Sequence, residues 1–297
     1  MDIRQIGLVG FGEVGSIFGA GLKDKPGVRR VAAWDLKFVD SATRARAHDS
    51  GVAAMGSMAQ LCERADLVIS AVTASNTLSV AEEAAPHVRA GSFFLDLNSA
   101  SPGTKRQAAA LIDQAGAHYV EAGVMTSVPP YGIRTPMLLG GAKAQALAAV
   151  LDAWGMDAKA VSDRLGVASA IKMSRSVMIK GLEALVIESY ATARQYGVEE
   201  YVIPTLQETF PGIDWTQQGA YFFSRVVQHG KRRAEEMREA ANTVREAGFD
   251  PFMASATADK QQFIADCAKE GVFEGLPKDA RWQDYADRLL KARKRQS

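Results

Sequence analysis

Apolar residues in the first half of the chain come in short runs separated by longer mixed segments. Residues 3–9 (IRQIGLV), Val28–Trp34 (VRRVAAW), Leu67–Val72 (LVISAV), Ser92–Leu97 (SFFLDL) and His118–Glu121 (HYVE) read as strands. GFGEVGSIFGAGLK, which follows the first run, has helical character, as do Ser41–Ser50, Leu78–Val88 and Thr104–Gln114. Short apolar strands alternating with helices of this length predict βαβ units, and hence a parallel sheet with helices on both faces. The pattern changes after about Asp163. Gly166–Tyr196 reads as one long helix without proline, and Gly219–Ala247, Pro251–Ala268 and Trp282–Lys294 are also helical in composition. The chain is therefore expected to be an α/β domain over residues 1–163 followed by an all-α domain over 164–297, with the long helix joining them. The basic tail ARKRQS reads as a solvated terminus.

Composition narrows the class. A chain of 297 residues, 47% hydrophobic and 23% charged, can bury two ordinary cores. Lys and Arg number 35 against 34 Asp and Glu, so no global charge favours nucleic acid or an anionic membrane. No run approaches the ~20 apolar residues that span a bilayer. MDIRQIGLVG runs directly into a strand without the features of a signal sequence, which predicts a cytoplasmic setting. Cys62 and Cys267 are far apart in sequence, and the four histidines (His48, His87, His118, His229) are scattered. Neither a disulfide framework nor a metal site is expected.

Gly10, Gly12 and Gly15 form G-x-G-x-x-G between the first strand and the first helix. This strand–turn–helix setting gives the motif its weight as a dinucleotide-binding fingerprint. Gly10 permits the tight turn, Gly12 lets backbone approach a pyrophosphate, and Gly15 lets helix and strand pack closely. Backbone of Phe11, Glu13 and Val14 completes the phosphate-binding turn at the helix start. Asp35, twenty residues beyond Gly15 at the end of the second strand, is placed to accept bonds from ribose hydroxyls. Its charge repels a 2′-phosphate and favours NAD. Lys37, two residues on, keeps NADP open. Val72 and Thr73, after the next apolar strand, are expected beneath the cofactor. The first domain is thus expected to be a doubly wound Rossmann sheet.

Lys172, in GVASAIKMSRSVMIKG, lies among Ile171, Met173, Val177 and Met178. Desolvation lowers the proton affinity of a buried lysine and suits it to proton transfer near neutral pH. The alternative is a helix lysine reaching water along its stem. Ser176 is one turn later on the same face.

GLVGFGEVG, DLNSASPGT (Asp96–Thr104), EAGVMTSVPPYG (Glu121–Gly132), LLGG (Leu138–Gly141) and GVASAIK (Gly166–Lys172), in this order and spacing, resemble the β-hydroxyacid dehydrogenase superfamily. That superfamily includes 3-hydroxyisobutyrate, tartronate-semialdehyde and 6-phosphogluconate dehydrogenases. The segment around HGKRRAEEM (His229–Met237) resembles a branch with a phosphogluconate-dehydrogenase-like helical domain of unassigned function. The resemblance implies hydride transfer between a nicotinamide and the carbinol or carbonyl carbon of a hydroxy acid or related alcohol, with Lys172 as the proton-transfer residue. It also implies that Asn98 lies at the cofactor, that Ser99, Gly123, Met125 and Thr126 lie at the substrate, and that the protein is a homodimer paired through the helical domain.

The departures bear on substrate. Ser176 stands where the family usually has asparagine, and Met125-Thr126-Ser127 with Pro129-Pro130 replaces a serine followed by glycines. The prolines remove two backbone donors. A pocket with Met125, Val128 and Tyr131 would suit a substrate larger than a small 3-hydroxy acid. Ser99 competes with a helix-capping role, for which Ser101, before Pro102, is the better candidate. His229, Arg232, Arg233 and Glu236 share one helix face. Either arginine could fork onto a substrate carboxylate with His229 assisting, or Arg232 could pair with Glu236 on a solvated face. Contributions from the helical domain would put the ligand in a cleft between domains. The alternatives to a hydroxyacid dehydrogenase are a non-catalytic dinucleotide-binding protein and an imine reductase of the same architecture. Lys172 argues against both.

Overall fold

The first apolar run becomes β1 (Gln5–Val9), in which every residue from Ile6 onward is buried. Gly12 opens α1 (Glu13–Leu22), whose Phe18 and Leu22 are fully buried. β2 (Arg30–Trp34), α2 (Ser41–Asp49), the two-residue β3 (Ala53–Ala54) and α3 (Met58–Cys62) follow. β4 (Leu67–Ser70), α4 (Thr77–Ala84), β5 (Phe93–Asp96), α5 (Pro102–Gln114) and β6 (His118–Val124) continue the alternation. β7 (Met137–Gly140), α6 (Ala144–Ala153) and β8 (Ala158–Ser162) complete the first unit's sheet and covering helices. This is a computed structural model, and it describes residues 2–293.

The strands form one sheet in the order β3-β2-β1-β4-β5-β6-β7-β8. All neighbours are parallel except β6 and β7, which pair as an antiparallel hairpin with Glu121 opposite Gly140. β7 and β8 carry no clear apolar alternation, and the two-residue β3 is too short to show any, so pattern alone misses them. Alternation within each strand divides the core between the two sheet faces. Leu8, Ile69, Leu95 and Val120 pack with Phe18, Leu22, Leu147 and Leu151. Val9, Val68, Phe94 and Tyr119 pack with Met58, Leu61, Ala81 and Ile112. Each fully buried aliphatic side chain contributes about 1.5–3 kcal/mol. Val128, expected at a substrate pocket, is instead 5% exposed and belongs to the first of these cores. Tyr131, expected with it, is half exposed.

α7 (Val167–Tyr196) is the predicted long helix. The chain divides into two compact units within its span, one ending at Ser174 and the other starting at Arg175. The second unit adds α8 (Glu199–Thr209), α9 (Trp215–Glu246), α10 (Phe252–Lys269) and α11 (Trp282–Arg293). Its core gathers Ile187, Tyr190, Phe223, Val226, Ile264 and Trp282. α8 was not legible in sequence because Pro204 interrupts its pattern. The predicted last helical residue, Lys294, and the rest of the tail lie outside the described residues.

Candidate active site

The sheet order reverses direction at β1, with β2 on one side and β4 on the other, and ligands of open α/β sheets bind beyond the strand ends at such a point. The glycine loop occupies that end of β1. Gly10 has φ +90°, and a Cβ there would lie 2.6 Å from the Ala71 carbonyl oxygen, so only glycine fits. A Cβ on Gly15 would collide with the carbonyl oxygen of Gly10. Gly12 differs, since a Cβ there would meet nothing within 4 Å. The absence of a side chain at Gly12 thus serves nothing in the chain's own packing and leaves room for a ligand against the backbone. No side chain caps the start of α1 among the described residues, so the helix end is suited to an anion. These features fit a dinucleotide pyrophosphate.

Asp35 accepts from the Phe11 N–H at 2.6 Å and from the Lys37 N–H at 2.8 Å. Its carboxylate ties the glycine loop to the end of β2, and the Lys37 side chain is exposed. The Phe11 ring is buried against Phe38, 5.7 Å between centroids, so this residue serves the core as well as the loop. Glu13 is exposed and Val14 half-buried. Val72 donates its N–H to Asn98 Oδ1 at 2.7 Å, and Asn98 Nδ2 donates to Ser70 Oγ at 2.9 Å. Asn98 therefore laces the β4 and β5 ends together. Thr73 is exposed and accepts from the Asn76 amide.

Next along the sheet, Lys172 Nζ donates to Ser99 Oγ at 2.6 Å. Ser101 caps α5 through the Thr104 N–H, which frees Ser99 from that role. Ser99 and Lys172, far apart in sequence and expected separately at the site, are brought together by the fold. Gly123 is buried close to them, and a Cβ there would lie 3.4 Å from Lys172 Cβ. Met125 gives its N–H to the Pro136 carbonyl across the β6–β7 hairpin, and Thr126 is exposed at its tip.

Sequence reasoning missed the buried groups behind this pair. Asp96 is 1% exposed and Lys105 fully buried, with Lys105 Nζ 3.0 Å from Asp96 Oδ1. The Tyr119 hydroxyl donates to Asp96 Oδ2, and the Asn98 N–H to Oδ1 at 2.8 Å. Burial, and then the Asp96 charge, push the Tyr119 phenol well above its ordinary pKa. Asp96 thus holds the turn that carries Asn98 and Ser99. A lysine three residues after a helix-starting proline gave the only advance sign.

In the helical unit, Arg233 forks onto Glu183, with its Nε 2.9 Å from Oε2, and Gln261 Nε2 donates to the same oxygen. This corrects the expectation that Arg233 meets a substrate carboxylate, because burial commits its fork to an internal partner. Glu236, expected beside Arg232, receives Lys180 Nζ at 2.9 Å, and Lys180 also donates to Ser176 Oγ. Arg232 is exposed and His229 half-buried on α9.

A doubly wound sheet with a glycine fingerprint, an acidic residue ending β2 and a lysine–serine pair at the strand ends defines a nicotinamide-dinucleotide-binding protein of the dehydrogenase type. Residues 5–162 match the NAD-binding domain of 6-phosphogluconate dehydrogenase, and residues 193–264 match a domain of unknown function (DUF1932). The chain belongs to the β-hydroxyacid dehydrogenase superfamily, in its 6-phosphogluconate dehydrogenase-like family. A conserved hypothetical protein from Sinorhizobium meliloti 1021 is 39% identical, with TM-score 0.76, over 97% of this chain and 96% of that one. An uncharacterized 28.5 kDa protein of Methanothermus fervidus is 28% identical over 89% of this chain and 100% of its own length. The 3-hydroxyisobutyrate dehydrogenase of Mycobacterium tuberculosis shares the fold, with TM-score 0.71 and 17% identity over 97% of this chain and 99% of that one.

Proposed function

We propose that the protein is an NAD(P)-dependent oxidoreductase acting at the carbinol or carbonyl carbon of a hydroxy acid or related alcohol. The observation that carries this reading is the 2.6 Å contact between Lys172 Nζ and Ser99 Oγ beside the glycine loop's sheet end. When bound, the nicotinamide supplies or accepts the hydride. The loop shaped by Gly10 and Gly15 and left open at Gly12 would hold its pyrophosphate, and Asp35 would take the ribose hydroxyls, which favours NAD over NADP. Lys172 moves the proton to or from the substrate oxygen at Nζ, and Ser99 steadies that oxygen through its hydroxyl. Substrate contacts from Gly123, Met125 and Thr126 belong to the same proposal. So do a homodimeric state and a cytoplasmic setting, the latter in keeping with the unpaired, buried Cys62 and Cys267.

The test is turnover of a panel of 3-hydroxy acids, aldehydes and imines with NAD(H) and NADP(H). On any substrate found, Lys172→Ala should lower kcat by about 10²–10⁴ with cofactor affinity unchanged. Lys172→Arg should fail nearly as badly, because guanidinium keeps its proton. Undiminished turnover by Lys172→Ala would defeat the reading. Activity confined to imines would move it to imine reduction.

A further inference from the structure

Glu121 is fully buried in β6, and its carboxylate is occupied by the first turn of α7. Oε1 accepts from the Gly166 N–H at 2.7 Å and the Ala168 N–H at 3.1 Å. Oε2 accepts from the Ser169 N–H at 3.4 Å and the Ser169 hydroxyl at 2.7 Å. The opening amides of a helix need partners, and the residue just before the helix normally supplies one. Here that residue is Gly166, which has no side chain, and the partner comes from a strand 45 residues earlier. Two residues on, and so on the same face of β6, Gly123 lets α7 approach. A Cβ there would lie 2.9 Å from the Ala168 carbonyl oxygen. On β7, Gly140 pairs with Glu121, and a Cβ at Gly140 would come 2.5 Å from Oε1. Strand, bare neighbour and buried charge thus make one clamp on the start of α7.

Lys172 lies three residues beyond Ser169, one turn along the clamped helix. The amino end of a helix carries a partial positive charge that disfavours an ammonium group nearby. A buried carboxylate on that end offsets it. We propose that Glu121 is a positioning residue for Lys172: it fixes the turn from which Nζ reaches Ser99, and its charge sustains the protonated amine. The proposal rests on Lys172 as the proton-transfer residue, but its test needs no substrate.

The full chain carrying ¹³C-labelled lysine is titrated by NMR, with Lys172→Ala used to assign the Lys172 Cε signal. Glu121→Gln removes the charge and turns an amide group toward backbone N–H donors. It should lower the Lys172 titration midpoint by about 0.5 unit or more and speed hydrogen exchange at Gly166, Ala168 and Ser169. Glu121→Asp, which keeps the charge, should bring the midpoint back toward wild type. A Lys172 midpoint unmoved in Glu121→Gln overturns the proposal, even where the variant melts earlier. Should Glu121→Gln not fold, Ser169→Ala removes one donor and keeps the carboxylate. The Lys172 signal should then shift while the lysines of the helical unit stay in place, and an unshifted signal overturns the proposal. An unmoved midpoint leaves the proton-transfer reading standing. Undiminished turnover by Lys172→Ala defeats that reading and leaves the clamp.

Discussion

At the scale of single residues, the groups proposed to do chemistry and the buried groups behind them differ in how visible they are. Lys172 stands out in sequence as a cation in an apolar segment, and Ser99 as a hydroxyl in a strand-end turn. Asp96, Lys105, Tyr119 and Glu121 read as ordinary polar residues, because only the folded sheet shows that they are buried and bonded to one another or to a helix start. Tyr119 gives this a measurable consequence. Its phenol is held protonated by burial and by the Asp96 charge, so the folded state binds that proton more tightly than the unfolded chain. The associated stability is complete below the ordinary tyrosine pKa of about 10 and is lost as pH rises beyond it. Tyr119→Phe should cost about 1.5–3 kcal/mol at pH 7 through the lost bond to a carboxylate. It should also flatten the decline in stability above about pH 10, measured by urea unfolding across pH. Cys62, pushed up to about 12 by burial, contributes the same sign in both proteins, so the difference isolates Tyr119. An equal alkaline decline in both would show that the buried phenol is not its source.

At the scale of elements, the strand–glycine–helix start was legible because each glycine answers a local backbone demand. What the motif cannot say is which glycine serves the fold and which the ligand. Gly15 is closed in by the Gly10 carbonyl, whereas Gly12 faces open space. Gly15→Ala should therefore unfold or severely destabilise the first unit. Gly12→Ala should leave the melting temperature within a few degrees, losing only a modest helix-start preference, and weaken NAD binding at least tenfold by calorimetry. Equal effects of the two substitutions on melting would contradict this division. The β6–β7 hairpin was hidden for another reason. Its turn runs through Pro129-Pro130 and a 3₁₀ segment, and its second strand ends at Gly140 with Gly141 directly after it, a composition that suggests a loop.

At the scale of the molecule, the helical unit buries Phe222 and Phe223 but leaves Tyr221, Phe252 and Met253 more than half exposed. Its core takes some of the aromatics that the sequence presents and leaves the others at the surface. Pairing of two chains would remove such apolar surface from water at roughly 25 cal/mol per Å². Sedimentation velocity at micromolar concentration should show a species of twice the chain mass, and Tyr221→Glu with Phe252→Glu should shift it to the monomer. A single-chain mass for the unaltered protein would refute pairing.

The order of α/β units, the change to an all-α second half, the cofactor turn and the placing of a lysine in an apolar segment at Lys172 were determined by the sequence itself. They depend on hydrophobic period, on glycine geometry and on residue type, all of which are local. The antiparallel β7, the division of the chain inside α7, the withdrawal of Arg233 to Glu183 and the carboxylate clamp of Glu121 were decided only by tertiary structure. Each pairs groups distant in sequence, and a buried charge selects its partner by proximity within a low-dielectric interior, which no spacing along the chain records.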